Sequence, residues 1–437
     1  MTKFLARPKV GFLILSQSNT RSFASLVARL SEHHNFVAYS AIEEKLDGIG
    51  VTTQLPVLPK PIISWLNFIE SCYLWKTRLR SPNHYVRASS LFGTKKQFAK
   101  TFSAIPDLKR TNSFKASIVR ICGTIILFNI INSLTQKILI PILFINYRAY
   151  LLSLDLLLVP HNAHLNYGFN FFIGLARALK IPTIALQENW DGLATKSFIR
   201  KEPNYFAVWG EQSLGHLRTI QYLKSTIPYV VGSPRFRGFG KISRPRWEKG
   251  QILVAGTSSI LEDMQLLTSL LSQLPKSTIL HYRPHPNKDI PDNVRQELLE
   301  TARKSGTGLI ISNEEDSYKS ILRSNFVITL FSTLALEALC YGIPAIVPLF
   351  SRAELVNYTY EDMYLEWQHM QGLGAVSHAY FCRTPKEMQA TVTELLKFDK
   401  RVSLELATRQ TNWFCKGANY EDEILQLIDT VIGKQLG

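Results

Sequence analysis

The stretch Thr329-Leu330-Phe331-Ser332-Thr333-Leu334-Ala335-Leu336-Glu337-Ala338-Leu339 decides how this chain folds. The apolar run Phe326–Thr329 has the length of a buried strand, and apolar side chains recur at helical spacing after Ser332. Ser332 or Thr333 is a suitable N-cap, a hydroxyl oxygen accepting from a backbone N–H of the first turn. Gly342-Ile343-Pro344 ends the helix, and Ala345–Pro348 reads as the next strand. Strand, helix and strand in quick succession are the unit of a parallel α/β sheet. The helix N-terminus turns N–H groups and a positive dipole end toward an anion, which makes Ser332 and Thr333 candidate phosphate contacts. Glu337 lies about one turn further on, where a carboxylate can accept hydrogen bonds from ribose hydroxyls.

The same beat extends in both directions. Upstream, strands are predicted over 252–255, 278–282 and 309–311, and helices over 263–274, 292–305 and 317–323. Downstream, helical patterns cover 385–396, 402–414 and 421–432. After the first of these strands comes Gly256-Thr257-Ser258-Ser259. The hydroxyls and N–H groups of Thr257 and Ser258 suit a phosphate oxygen, although a plain N-cap would use the same residues. The next strand delivers His281-Tyr282-Arg283-Pro284-His285-Pro286. Its two prolines fix the backbone, so that Arg283 can fork onto a pyrophosphate and His285 can donate to a phosphate or base oxygen. A rigid loop with an incidental histidine is the alternative.

The N-terminal half repeats the alternation, with strands over 10–15, 36–39, 154–159, 183–186, 205–209 and 229–231 and helices over 23–30 and 169–179. The loop after its first strand, Ser16-Gln17-Ser18-Asn19-Thr20-Arg21, has no GxGxxG and is not built to hold a dinucleotide pyrophosphate. The division expected is an acceptor domain over 1–237, a linker over 238–250 rich in Gly, Arg and Lys, and a nucleotide-donor domain over 251–437. Two doubly wound domains facing one another leave a cleft at their C-terminal strand ends. The strand over 183–186 leads into Gln187-Glu188-Asn189-Trp190-Asp191-Gly192, and either Asp191 or Glu188 can serve as a general base there. A solvated Asp-Gly turn is the competing reading. His161 and His164 end another strand, but a loop histidine without a clear partner is more often structural.

With 437 residues, 46% hydrophobic and 19% charged, the chain is globular and long enough for two cores. Its five scattered cysteines show neither CxxC nor Cys/His ligand spacing, which argues against a zinc site and for reduced thiols in a cytosol. The apolar run near the N-terminus is too short for a signal peptide, and no export is expected. The net charge of +16 is concentrated between Lys76 and Arg120, where eleven basic residues meet one acid, Asp107. This stretch can face an anionic membrane or a phosphate-rich acceptor, while no nucleic-acid-binding module is present. It belongs to a basic, helical insertion near 60–150. Within it, 121–136 is uncharged but shorter than the roughly 20 residues a spanning helix needs. A buried helix is expected there first, and a helix lying in a bilayer surface second.

In the order acidic-Gly loop, Val208-Trp209-Gly210, Val231-Gly232-Ser233-Pro234-Arg235, His285-Pro286 and the Ser332-Thr333/Glu337 helix, these elements resemble GT-B glycosyltransferases. They are most similar to the HP-motif surface-polysaccharide enzymes, namely CDP-glycerol glycerophosphotransferases and bacterial sialyltransferases. The resemblance covers mainly residues 180 to 350, and Trp190 stands where those families have a second acid. It implies an α/β fold of two Rossmann-like domains and inverting, metal-independent sugar transfer without a cofactor; no DxD is present. The donor would be a CMP/CDP- or UDP-type nucleotide sugar held by Arg283, His285 and the Ser332-Thr333 helix. The acceptor would be a surface glycan or a lipid-linked sugar, and the enzyme would work in the cytoplasm or at the inner face of the plasma membrane. A CDP-alditol phosphotransferase and a non-catalytic glycan-assembly subunit are the alternatives. A UDP-sugar 2-epimerase shares the fold but has no evident use for the basic insertion.

Overall fold

Leu156-Leu157-Leu158-Val159, an unbroken apolar run, is buried along its length near the middle of a seven-stranded sheet. Such runs suit parallel sheets, which are covered on both faces. A computed structural model of the chain describes residues 7–42, 52–56, 58–77, 113–135, 138, 140–161, 166–196, 199–236, 251–257, 260–276, 278–285, 290–312, 317–330, 332–350, 368–376, 378–397, 412–417 and 419–436. Most of the basic stretch 76–120, the linker 238–250, Ser258, His164 and most of the helix expected over 402–414 lie outside the described residues.

The first sheet comprises β1 (Lys9–Ile14), β2 (Asn35–Ser40), β3 (Thr52–Gln54), β4 (Leu156–His161), β5 (Thr183–Gln187), β6 (Tyr205–Val208) and β7 (Ile227–Val230). Their order is β3-β2-β1-β4-β5-β6-β7, and every pair is parallel. The second comprises β8 (Gln251–Ala255), β9 (Ile279–Arg283), β10 (Gly308–Ile311), β11 (Phe326–Thr329), β12 (Ala345–Pro348) and β13 (Ala379–Cys382). It runs β10-β9-β8-β11-β12-β13, again all parallel. In each sheet the chain works outward in one direction, then resumes on the other side of its starting strand. The reversal falls between β1 and β4 in the first sheet and between β8 and β11 in the second. At such a point the connecting helices part to opposite faces and leave a crevice at the C-terminal strand ends.

The first unit also carries α1 (Gln17–His33), α2 (Lys60–Thr77), α3 (Ser113–Cys122), α4 (Ile125–Leu134), α5 (Ile140–Leu151), α6 (Asn166–Ala178) and α7 (Glu211–Thr219). The second carries α8 (Ile260–Gln273), α9 (Asp292–Ser305), α10 (Ser317–Leu322), α11 (Thr333–Cys340), α12 (Leu373–Val376) and α13 (Pro385–Lys397), and α14 (Tyr420–Leu436) closes the chain. Period-two alternation along β1 divides the first core. Leu13 and Leu15 pack with α5 and α6, while Val10, Phe12 and Ile14 pack with α1 and α14.

That last contact corrects the expected boundary. The two compact units part between Arg237 and Gly238, but Phe414–Gly437 belongs to the first unit rather than the second. The apolar stripe Tyr420, Ile424, Leu427, Ile428, Val431 and Ile432 completes the first sheet's outer face. The returning chain crosses the Trp209-Gly210 corner, where the Lys416 N–H donates to the Trp209 carbonyl at 2.7 Å. A β-carbon on Gly210 would lie 2.5 Å from the Phe414 carbonyl carbon and 2.7 Å from the Cys415 nitrogen. Both are backbone atoms that cannot swing aside. Gly210→Ala is therefore expected to cost about 1–3 kcal/mol, read as a lower denaturation midpoint; an unchanged midpoint would show that the crossing yields freely.

The insertion differs from expectation as well. A single buried helix over 121–136 is replaced by α3 and α4, which break at Gly123-Thr124 and bury only one side each. The insertion is pinned to the sheet domain by a buried ion pair. Arg200 donates through Nε and Nη2 to Glu70 Oε1 at 2.9 and 2.8 Å and through Nη1 to Asn132 of α4, while Asn170 of α6 donates to Glu70 Oε2.

Candidate functional site

In the second unit, strand register sets the site. Ala255 of β8 pairs with Arg283 of β9 on one side and Thr329 of β11 on the other. Gly256-Thr257, Arg283-Pro284-His285 and the Ser332 cap thus leave three neighbouring strand ends, around the reversal of strand order. Ser332 is the N-cap of α11: its hydroxyl oxygen accepts from the Leu334 N–H at 3.2 Å, and its carbonyl accepts from the Ala335 N–H. The cap keeps its own O–H to donate. At the far end the Gly342 N–H donates to Leu339 and the Ile343 N–H to Ala338, a Schellman closure that directs the chain through Pro344 into β12. Arg283, His285, Ser332, Thr333 and Glu337 are all half-buried.

Thr257 is held within the site by an acid of the helix that follows it. Its N–H donates to both carboxylate oxygens of Asp263, at 2.8 and 3.1 Å, and its side chain bonds the same group. The Tyr282 hydroxyl donates to Asp263 Oδ2 at 2.7 Å. Thr257 is therefore tied to Asp263 as a strut of the site. A β-carbon on Gly256 would fall 2.7 Å from Asp263 and 3.1 Å from the His285 nitrogen, so only glycine lets these groups close together. Burial pushes the Asp263 carboxyl above the ordinary range, offset by its bonds from Thr257 and Tyr282 and by the charge of His285. This knot ties β8, β9 and α8 together and holds the Arg283-Pro284-His285 turn against it.

In the first unit the two candidate acids separate. Glu188 is fully buried. Asn19 Oδ1 accepts from the Leu15 and Ser16 N–H groups at 2.8 and 3.0 Å, which fixes its amide so that Nδ2 donates to Glu188 Oε2 at 2.6 Å. Ser22 donates to Oε1 at 3.2 Å, and Ser18 also bonds the carboxyl. Glu188 thus sits on the N-terminus of α1, where the dipole favours negative charge. Burial nonetheless pushes its carboxyl up, with Ser18, Arg235, Ser22 and Asn19 pulling the other way.

Asp191 is half-buried and lies in a loop held from several sides. Gln187 Nε2 donates to the carbonyls of Asn189 and Trp190, its Oε1 accepts from the Trp209 N–H, and its carbonyl accepts from the Trp209 indole. Trp190, at the position of the second acid in the resembling families, is buried and donates its indole N–H to Gln212 of α7. A single π-type turn, Gly192–Lys196, follows Asp191, and Gly192 rests against the His161 ring. His161 is packed edge-on between Phe169 and Phe206, and burial brings its pKa down to about 4, so it is neutral at pH 7. That is a structural histidine. Arg235, beyond the tight turn at Gly232, is exposed.

Sequence reasoning missed Asp263, Tyr282, Ser18, Asn19 and Ser22 as parts of these sites. Asp263 was legible only as an acid in the first turn of a helix, and Asn19 only as one of six polar residues in a loop.

No protein-family model matches the chain, and no curated protein sequence matches it. Solved structures do. MurG of Acinetobacter baumannii superposes with a TM-score of 0.52 at 12% identity, over 97% of this chain and 99% of that one. A Listeria monocytogenes protein assigned as a UDP-N-acetylglucosamine 2-epimerase gives 0.56 at 11% identity, over 98% of each chain. The UDP-GlcNAc 2-epimerase of Neisseria meningitidis, solved with UDP-GlcNAc bound, gives 0.50 at 12% identity, over 97% of this chain and 100% of that one. At such identities the likeness is one of fold. With its seven- and six-stranded parallel sheets, each reversing its strand order once, the chain has the GT-B fold of two Rossmann-like α/β units.

Proposed function

We propose that the chain is a glycosyltransferase that takes a sugar from a nucleotide-activated donor. One observation carries the reading: Arg283, His285 and the capped N-terminus of α11 converge at the strand-order reversal of the second sheet. The arginine fork and the helix end would bind the pyrophosphate and stabilise the charge that develops on the departing nucleotide. Glu337, one turn along α11, would accept from the ribose hydroxyls. Asp191, the more open of the two acids, would take the proton of the acceptor hydroxyl, and Glu188 would hold α1 and the loop in place. Direct displacement by that hydroxyl inverts the anomeric carbon. A surface glycan or lipid-linked sugar remains the acceptor class proposed.

The structures of like fold include enzymes named for UDP-GlcNAc, which favours UDP over cytidine nucleotides as the donor's leaving group. The same names support a second reading, 2-epimerisation of a UDP-sugar. Thermal shift with UDP, CMP, CDP, GDP and ADP tests the donor site. At about a hundred times its dissociation constant the right nucleotide stabilises by roughly 2.7 kcal/mol. Arg283→Ala is expected to abolish the shift. A flat panel, or a shift indifferent to Arg283, would overturn the donor site. Product analysis with UDP-sugar alone then separates the reactions, because an epimerase needs no acceptor.

A further inference from the structure

The insertion presents an apolar face to water. On α4, Ile126, Ile130 and Leu134 recur every four residues and are 52–77% exposed; Ile138, and Ile142 and Ile145 of α5, are 58–74% exposed. These helices do not lack an inward side. Phe128, Leu143 and Tyr147 point the other way and are buried. Exposed apolar residues repeated at helical spacing, unlike scattered single ones, mark a contact surface.

Its charge says what the contact is. No acid occurs between Asp107 and Asp155, while residues 113–152 carry Lys115, Arg120, Lys137 and Arg148. Arg148 is exposed on α5, and Lys76 of α2 stands at the edge of α4, its ammonium over the Phe128 ring at 4.9 Å and donating to Asn129. A second copy would bring the same acid-free, basic stretch against this one, like charge to like. Spanning is also excluded for the described helices, none of which is long and apolar enough to cross a membrane. We propose that this face seats the protein on an anionic lipid surface. The isoleucines enter the acyl boundary, and the basic charge of this acid-free stretch, with Arg148 exposed on α5, attracts the headgroups. The proposal extends the expected membrane contact from the basic stretch and the 121–136 segment to α5, and it stands independently of the donor site.

The test is co-sedimentation of the full chain with phosphatidylcholine vesicles, with and without phosphatidylglycerol. Binding is expected only with phosphatidylglycerol and should weaken with salt. The variant Ile126→Asn/Ile130→Asn/Ile142→Asn/Ile145→Asn should bind at least about a hundredfold less, with an unchanged melting profile and unchanged nucleotide shift. Equal binding to both vesicle types, or full binding by the variant, would overturn the proposal. So would self-association of the wild type that needs the isoleucines and ignores vesicles. Should the variant misfold, the lipid and salt dependence of the wild type still decides.

Discussion

Ending the chain at Gly417 is expected to leave its first unit unable to fold, although the deletion removes only α14. Tyr420, Ile424, Leu427, Ile428, Val431 and Ile432 are all buried against β1, β4, β5 and α1. At about 1.5–3 kcal/mol for each buried side chain, their loss forfeits roughly 9–18 kcal/mol, an upper bound because the unfolded chain buries some of this area too. A whole domain is ordinarily stable by about 5–15 kcal/mol. The Arg29–Asp422 pair at 3.0 Å adds little, being nearly half exposed at both ends. Limited proteolysis should digest residues before 237 and spare a fragment containing β8–β13. A truncated chain that is soluble, resists protease throughout and melts like the full one would overturn this account of the core.

Asp191→Asn is expected to lower the turnover number by about 10²–10⁴, the range for losing a general base. Nucleotide binding should stay unchanged, and the Asp191 loop should keep its place through the bonds of Gln187, Trp190 and Trp209. Glu188→Gln should behave differently. Burial makes the folded chain hold the Glu188 proton more tightly than the unfolded chain does. Its contribution to stability is therefore greatest below the ordinary carboxylate value of 4.5 and is lost as pH rises through the raised folded value. Glutamine removes that decline and flattens the melting temperature against pH above 4.5. If Glu188→Gln instead lost turnover as severely as Asp191→Asn with stability intact, the base would be Glu188.

What could be read in the sequence follows from what is local. Phe326–Thr329, Ala345–Pro348 and Asp292–Ser305 were legible to the residue because serine, glycine, proline or aspartate punctuates each one. β3 escaped because Thr52-Thr53-Gln54 is a short polar edge with no alternation to detect, and β13 because four residues without a flanking signal resemble loop. The stripe on α14 announced a helix with an apolar face, but periodicity carries no address, and its partner strand lies some four hundred residues earlier. Burial was equally hidden. Glu188 and Asp191 are three residues apart in one loop, and only the fold shows that the former faces Asn19 while the latter remains half-open. The bond from Thr257 to Asp263 was hidden as well, because the acid is brought to it by a turn of helix that composition does not specify.

The return of α14 also sets an order of assembly. The seven strands of the first sheet are complete in sequence at Val230, yet their last covering helix begins at Tyr420. At about 5–20 residues per second, the ribosome needs roughly 10–40 s to bridge that interval. Throughout it, the nascent chain holds Phe12, Ile14, Leu158, Ile184 and Leu186 on a sheet face without its final cover. The second sheet, synthesised later, has all six of its strands in one continuous run and can close before α14 emerges. The half of the protein that is made first is thus finished last, and it offers an apolar face to holding chaperones during the wait.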